Sequence, residues 1–114
     1  MTKLFAVESG LQRRGEKMND IQNIKIIVCR LAKQYGVDRV YLFGSYARGD
    51  ATEQSDIDLR IDKGEIRGLR FASLLGDLEE ALGNKVDLIS TAGMDEQFLQ
   101  SIQPDEVLLY ERNQ

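Results

Sequence analysis

Asp56 and Asp58 stand two residues apart in the run Ser55-Asp56-Ile57-Asp58-Leu59, and a further aspartate, Asp87, interrupts the short apolar run Val86 to Ile89. On an extended strand, residues i and i+2 point to the same side with Cα atoms about 7 Å apart. Asp56 and Asp58 can therefore present a carboxylate pair able to grip divalent cations. Upstream, Leu42-Phe43-Gly44-Ser45-Tyr46-Ala47-Arg48-Gly49-Asp50 ends an apolar stretch and opens a polar loop. A glycine there lets backbone approach a ligand closely, and the amides after it can hold phosphate oxygens. The chain has no histidine and one cysteine. Ser-His and Cys-His catalysis and the common zinc sites are thereby excluded. Acid/base and metal chemistry must run on carboxylates, whose oxygens suit Mg²⁺ or Mn²⁺.

Two other phosphate and metal motifs fail on their own chemistry. Gly44 and Gly49 have the spacing of P-loop glycines, but Asp50-Ala51 stands where Lys and Ser or Thr are required. Asp56-x-Asp58 could begin a calcium loop, but Arg60 and Ile61 occupy positions that need an oxygen ligand and a glycine. An isolated Asp-x-Asp is weak, and Gly44 and Gly49 could be plain turn glycines. Asp87 could be a residue that guards a sheet edge. The combination of all three features is far more specific than any one.

The elements that must position these residues follow from periodicity. Asn19 or Asp20 can cap a helix carrying Ile21, Ile24, Ile27, Val28, Leu31 and Tyr35, closed by Gly36. Residues 37–43 read as a strand that delivers Gly44-Ser45, and one helical turn at 46–48 would turn its N-terminus toward bound phosphate. Ile57, Leu59 and Ile61 alternate with Asp56, Asp58, Arg60 and Asp62, the pattern of a half-buried strand. Asp62 shares the parity of the pair, but its place beside Lys63-Gly64 favours a turn role. Residues 65–82 predict a second helix with Leu69, Leu74, Leu78 and Leu82 as core, weakened by Gly68 and Gly76 and stopped by Gly83. After the strand at 86–89, Ser90 or Thr91 is expected to cap a helix whose Met94, Phe98, Leu99 and Ile102 join the core until Pro104. Residues 107–110 read as a final edge strand. Cys29, Tyr41 and Tyr46 are read as packing residues.

With 114 residues, the chain has room for one core of helices on one sheet. The expected organisation is an N-terminal extension at 1–17 and a single domain at 18–114. A net charge of −4 argues against nucleic acid as a direct ligand, which a basic face would serve. The lone cysteine points to a reducing, cytoplasmic setting. No apolar run approaches the roughly 20 residues of a membrane span, and the start lacks the apolar core of a signal peptide.

Gly44-Ser45, ten intervening residues and Asp56-Ile57-Asp58 resemble the signature of the DNA polymerase beta-like nucleotidyltransferase superfamily. The stretch from Gly44 to Asp50 is similar to the minimal nucleotidyltransferases (MNT), often the antitoxins of HEPN/MNT toxin-antitoxin pairs. The resemblance implies an α/β fold, a small mixed sheet of about four strands with helices packed on one face. It also implies three catalytic, metal-holding carboxylates, Asp56, Asp58 and Asp87, with Gly44, Ser45 and Arg48 binding the nucleotide. The implied chemistry is transfer of a nucleoside monophosphate, AMP from ATP, with two Mg²⁺ or Mn²⁺ ions, onto a hydroxyl of a HEPN-type toxin. Two alternatives stand beside it: a non-catalytic antitoxin that masks its partner, and an aminoglycoside-type nucleotidyltransferase acting on a small molecule, disfavoured by the missing acceptor domain.

Overall fold

A computed structural model describes residues 18–113; the expected extension at 1–17 lies outside them. Helix α1 (Ile21–Tyr35) starts where the Asp20 carboxylate accepts the Asn23 amide at 2.8 Å. It stops at Gly36, whose φ of 79° turns the chain left-handed while its N–H meets the Ala32 and Lys33 carbonyls. Asp20 is thus the cap, and Asn19 instead donates to the Leu82 carbonyl at 2.8 Å, joining the start of α1 to the end of helix α3 (Leu69–Leu82).

Strand β1 (Arg39–Phe43) begins two residues later than expected, because Val37 is spent in the turn, donating to the Ala32 carbonyl at 3.1 Å. Helix α2 (Gly44–Arg48) follows at once, then β2 (Ile57–Asp62). Helix α3 starts four residues late because Gly68, at φ 55° and ψ −123°, is not helical. Leu69 then lies five residues before Leu74, about 140° around the helix, and is 87% exposed rather than core.

Strands β3 (Val86–Ser90) and β4 (Val107–Glu111) complete a sheet in the order β3-β2-β1-β4. β1 pairs antiparallel with β2 and β4, and β3 pairs parallel with β2 through the α3 crossover. Ile24, Val28 and Leu31 of α1 and Leu74, Leu78 and Leu82 of α3 cover one sheet face, burying Val40, Leu42, Ile57, Leu59 and Ile61. The α/β class and the mixed four-stranded sheet hold as expected.

The opposite face departs from the sequence reading. Asp95, not Ser90 or Thr91, caps helix α4 (Glu96–Ile102), accepting the Phe98 amide at 3.1 Å. Thr91 is occupied elsewhere: it opens a 3-10 turn (Thr91–Gly93), and its hydroxyl donates to the Ile61 carbonyl. No residue of α4 is buried, so Phe98, Leu99 and Ile102 are not core, and Met94 is only half-buried. A second 3-10 turn (Gln103–Asp105), containing Pro104, leads into β4. These segments lie over Phe43 and Arg60, covering part of the sheet's second face. No helix among the described residues is long and apolar enough to cross a membrane.

Candidate active site

Register brings the predicted residues to one end of the sheet. Phe43, the last residue of β1, is the partner of Asp58, and Asp58 is the parallel partner of Asp87 on β3. Cross-strand partners share a face and neighbouring strands run about 4.8 Å apart, so Asp58 and Asp87 are neighbours on the face away from α1 and α3. Asp56 precedes Asp58 by one pleat, just ahead of β2, where the Ile57 amide donates to the Lys85 carbonyl at 3.0 Å.

Gly44 fits against this pair. Its φ is 74°, and a Cβ at that position would overlap the Asp58 carboxylate, lying 3.1 Å from its Cγ. The missing side chain at Gly44 leaves the Asp58 carboxylate its place against the chain. Phe43, at the N-cap of α2, supplies no side-chain cap, so the first amides of the helix are left for another acceptor. Ser45 is its second residue, and its carbonyl accepts from the Gly49 and Asp50 amides, each at 3.0 Å. Tyr46 is buried, with its hydroxyl 3.3 Å from Asn84 Nδ2, tying α2 to the turn before β3. Tyr41 lies under the Arg60 guanidinium, 3.9 Å from ring centroid to Cζ. Both tyrosines therefore pack, and Cys29 is half-buried with its thiol 3.1 Å from the Leu109 carbonyl.

The electrostatics single out Asp58. Burial first, then the charges of Asp87 and Asp56, push its pKa from 3.8 up to about 6, with Arg48 pulling the other way. Arg48 itself pairs with Asp50 at 3.4 Å, both exposed. Lys85, missed in the sequence, comes within 3.9 Å of Asp56 and is also exposed. Asp62 pairs with Arg39 at 3.1 Å and Arg60 at 3.7 Å, a structural role.

Sequence reasoning also missed that Arg60 is buried, 5% exposed. Its Nε and Nη2 donate to both Glu106 carboxylate oxygens at 2.6 and 2.7 Å, and its Nη1 donates to Thr91 Oγ1 at 2.9 Å. A bidentate pair of this kind is strong and oriented. An arginine amid the buried run Leu59 to Ile61 was the available signal.

Among the described residues, no three His, Cys, Asp or Glu side chains are gathered into a group able to hold a metal ion by themselves. The donor set nevertheless suits Mg²⁺, which takes one or two carboxylates and completes its shell with waters and substrate phosphates. Asp56 and Asp58, with Asp87 alongside, are donors of that kind.

Asp58 and Asp87, without an ion-pair partner among the described residues, thus lie at the end of the sheet where α2 begins without a side-chain cap, two halves of a cradle for a metal-bound polyphosphate. The class that this fold and site define is the nucleotidyltransferases. The chain belongs to the family described as Polymerase beta, Nucleotidyltransferase, which matches residues 16–114. It is 42% identical over 65 residues to the protein adenylyltransferase MntA of Thermococcus cleftensis, spanning 56% of this chain and 66% of that protein. Its fold is similar to that of a solved candidate minimal nucleotidyltransferase, with TM-score 0.69 and 33% identity over 78% of this chain and 95% of the other. A chain from a toxin-antitoxin structure with AMP-PNP matches with TM-score 0.66 and 25% identity, over 82% and 76% of the two chains.

Proposed function

We propose that this chain transfers AMP from ATP onto a hydroxyl of a partner protein, and that the partner is a HEPN-type toxin neutralised by the modification. The observation that carries this reading is Asp58: a half-buried carboxylate wedged against Gly44, its pKa raised to about 6 by burial and by its acidic neighbours. Asp56 and Asp58, completed by Asp87, would hold Mg²⁺ or Mn²⁺. Two such ions would supply charge neutralisation at the attacking and leaving oxygens. Ser45 and the amides after Gly44 orient the β- and γ-phosphates. Arg48 is available to them because its exposed pair with Asp50 is of a kind worth little in water. The acceptor oxygen bonds to the α-phosphorus as the bond to pyrophosphate breaks, and Asp87 takes the hydroxyl proton. The relative named protein adenylyltransferase and the toxin-antitoxin structure with AMP-PNP support a protein acceptor. The free thiol of Cys29 accords with a cytoplasmic setting.

The test is incubation of the full chain with Mg²⁺, a HEPN-type partner and ATP labelled either at the α- or at the γ-phosphate. Label should reach the partner from α-labelled ATP only; none in a confirmed complex overturns the reading. The match to a toxin-antitoxin structure also accommodates one rival, an antitoxin that protects by masking alone. Under that rival, Asp56→Asn with Asp58→Asn keeps protection; under the proposal, protection is lost.

A further inference from the structure

The face of the sheet that carries the carboxylates is divided into two unlike halves. On β2 and β3 it is acidic, with Asp58 beside Asp87. On β1, β4 and α4, beyond Arg39, it presents apolar side chains. Phe98 of α4 meets Phe43 edge-on, ring centroids 6.0 Å apart at 82°, and Phe43 is the register partner of Asp58. Leu108 stands opposite Tyr41 in the β1–β4 pair, and Tyr41 shares the face of Arg60. Phe98 is 42% exposed and Leu108 45%. Single exposed apolar residues are ordinary. Phe98 and Leu108, however, both stand against β1, at Phe43 and at Tyr41 two residues before it, and Phe43 is the partner of Asp58.

The unpaired charge of the segments that flank this strip is acidic; on the sheet face itself Arg39 is paired with Asp62 and Glu111, and Arg60 with Glu106. From Val86 to Glu111 the chain has six carboxylates, and all 15 of its Lys and Arg lie elsewhere. Glu106 and Glu111 are paired with Arg60 and Arg39, but Asp95, Glu96 and Asp105 are exposed along the rim. The turn holding Asp105 also contacts α2, so the strip runs up to the Gly44 helix.

From this juxtaposition of an exposed apolar strip, an acidic rim and the adjoining carboxylate end of the sheet, we infer that the strip seats the acceptor protein through an apolar patch ringed by Lys and Arg. The inference rests on the protein-acceptor reading above. A nucleic acid is repelled by such a rim, since its phosphates need cations. A second copy of this chain would bring the same acidic rim against itself across a two-fold axis. A basic rim on the acceptor satisfies the charge and leaves its hydroxyl-bearing segment beside Asp58 and Asp87.

The test uses the full chain, a HEPN-type partner and three variants. Phe98→Glu with Leu108→Glu should raise the acceptor KM at least about tenfold, as expected for loss of interface anchors, with kcat at saturating acceptor and ATP affinity within about twofold. Glu96→Lys with Asp105→Lys should raise it about threefold or more and flatten its dependence on salt. Ile26→Glu, on an exposed residue of α1, should change nothing. Binding of chain to partner without ATP, followed by calorimetry, should weaken in the same order, so docking is read even if no transfer occurs. Failure of transfer with docking intact would sink the proposed reaction alone. Unchanged acceptor affinity in the Phe98/Leu108 variant, equal loss in Ile26→Glu, or a wild-type dimer that this variant splits would overturn the docking surface.

Discussion

Asp58 and Arg60 lie on the same strand and the same face, two residues apart, and the protein treats their charges in opposite ways. Arg60 is buried and answered within the chain, by both oxygens of Glu106, by Thr91 and by the Tyr41 ring. Asp58 has other carboxylates for neighbours, and its proton is held up to about pH 6. One pleat along β2 thus separates a closed polar cluster from an open one. A buried ion pair that is fully hydrogen-bonded has no capacity left for a ligand. Mutually repelling carboxylates cost stability unless a cation arrives, and in the proposed function that unmet demand is what a metal-bound nucleotide would answer.

The contrast breaks most visibly at Asp58 itself. Asp58→Asn should cut transfer by about a thousandfold or more, the scale of losing a metal-holding, charge-stabilising group. Its melting temperature at pH 7 without divalent ions should be equal to or above that of the native chain, because one of three repelling charges is gone. Retained transfer would show that Asp58 is not the open member of the pair. Arg60→Met should do the reverse, chiefly to stability. It strands Glu106 in a buried site, and the unfolding free energy in urea should fall by about 3–5 kcal/mol. Adding Glu106→Leu should restore most of that loss, since two matched apolar groups replace a matched ion pair.

The two residues also differ in how readily the sequence reveals them. Asp58 was legible because its context is local: alternation with Ile57 and Leu59, a preceding Gly44-Ser45 and an apolar strand around Asp87. Arg60 shows the same alternation and read as an outward position, because Glu106 is 46 residues away and only the β1–β4 pairing brings it over β2. The same cause misled the reading of α4. Met94, Phe98, Leu99 and Ile102 carry core spacing, but the layer they join covers only part of its sheet face, so none is buried. The ends of elements were set by side chains and turns that spacing does not register. Asp95 rather than Ser90 or Thr91 caps α4, and the backbone of Gly68 delays α3 until Leu69.

Gly44 sharpens the comparison, because it sets the approach of the loop to the open carboxylate. Gly44→Ala forces a side chain into the Asp58 carboxylate at a φ of 74°. A cost of about 1–3 kcal/mol in stability is expected from the strained backbone and the overlap with Asp58 together, with transfer down about a hundredfold as Asp58 shifts. Gly49 supplies the control. Its φ is 85°, but a Cβ there meets nothing within 4 Å. Gly49→Ala should therefore cost only the backbone share, about 1 kcal/mol, and reduce transfer by less than Gly44→Ala. Equal losses in urea midpoint and in activity would mean that the contact with Asp58 is irrelevant.

The smallest effect is the pH dependence that the open cluster imposes on folding. The Asp58 pKa is raised from 3.8 to about 6 in the folded chain, so between those values the folded state keeps a proton that the unfolded state has released. Stability from this group is complete below about pH 4, declines as pH rises, and is gone above about pH 6. Asp58 is only half-buried, so solvent screening limits the swing to about 1 kcal/mol. Melting curves of the native chain and Asp58→Asn, compared without divalent ions, should therefore separate progressively from pH 4 to pH 7, with the native chain falling behind. Mg²⁺ with ATP should close the gap at pH 7, because binding selects the ionised carboxylate. Parallel curves across that range would mean that neither burial nor Asp87 and Asp56 raise the Asp58 pKa, and the contrast with Arg60 would be lost.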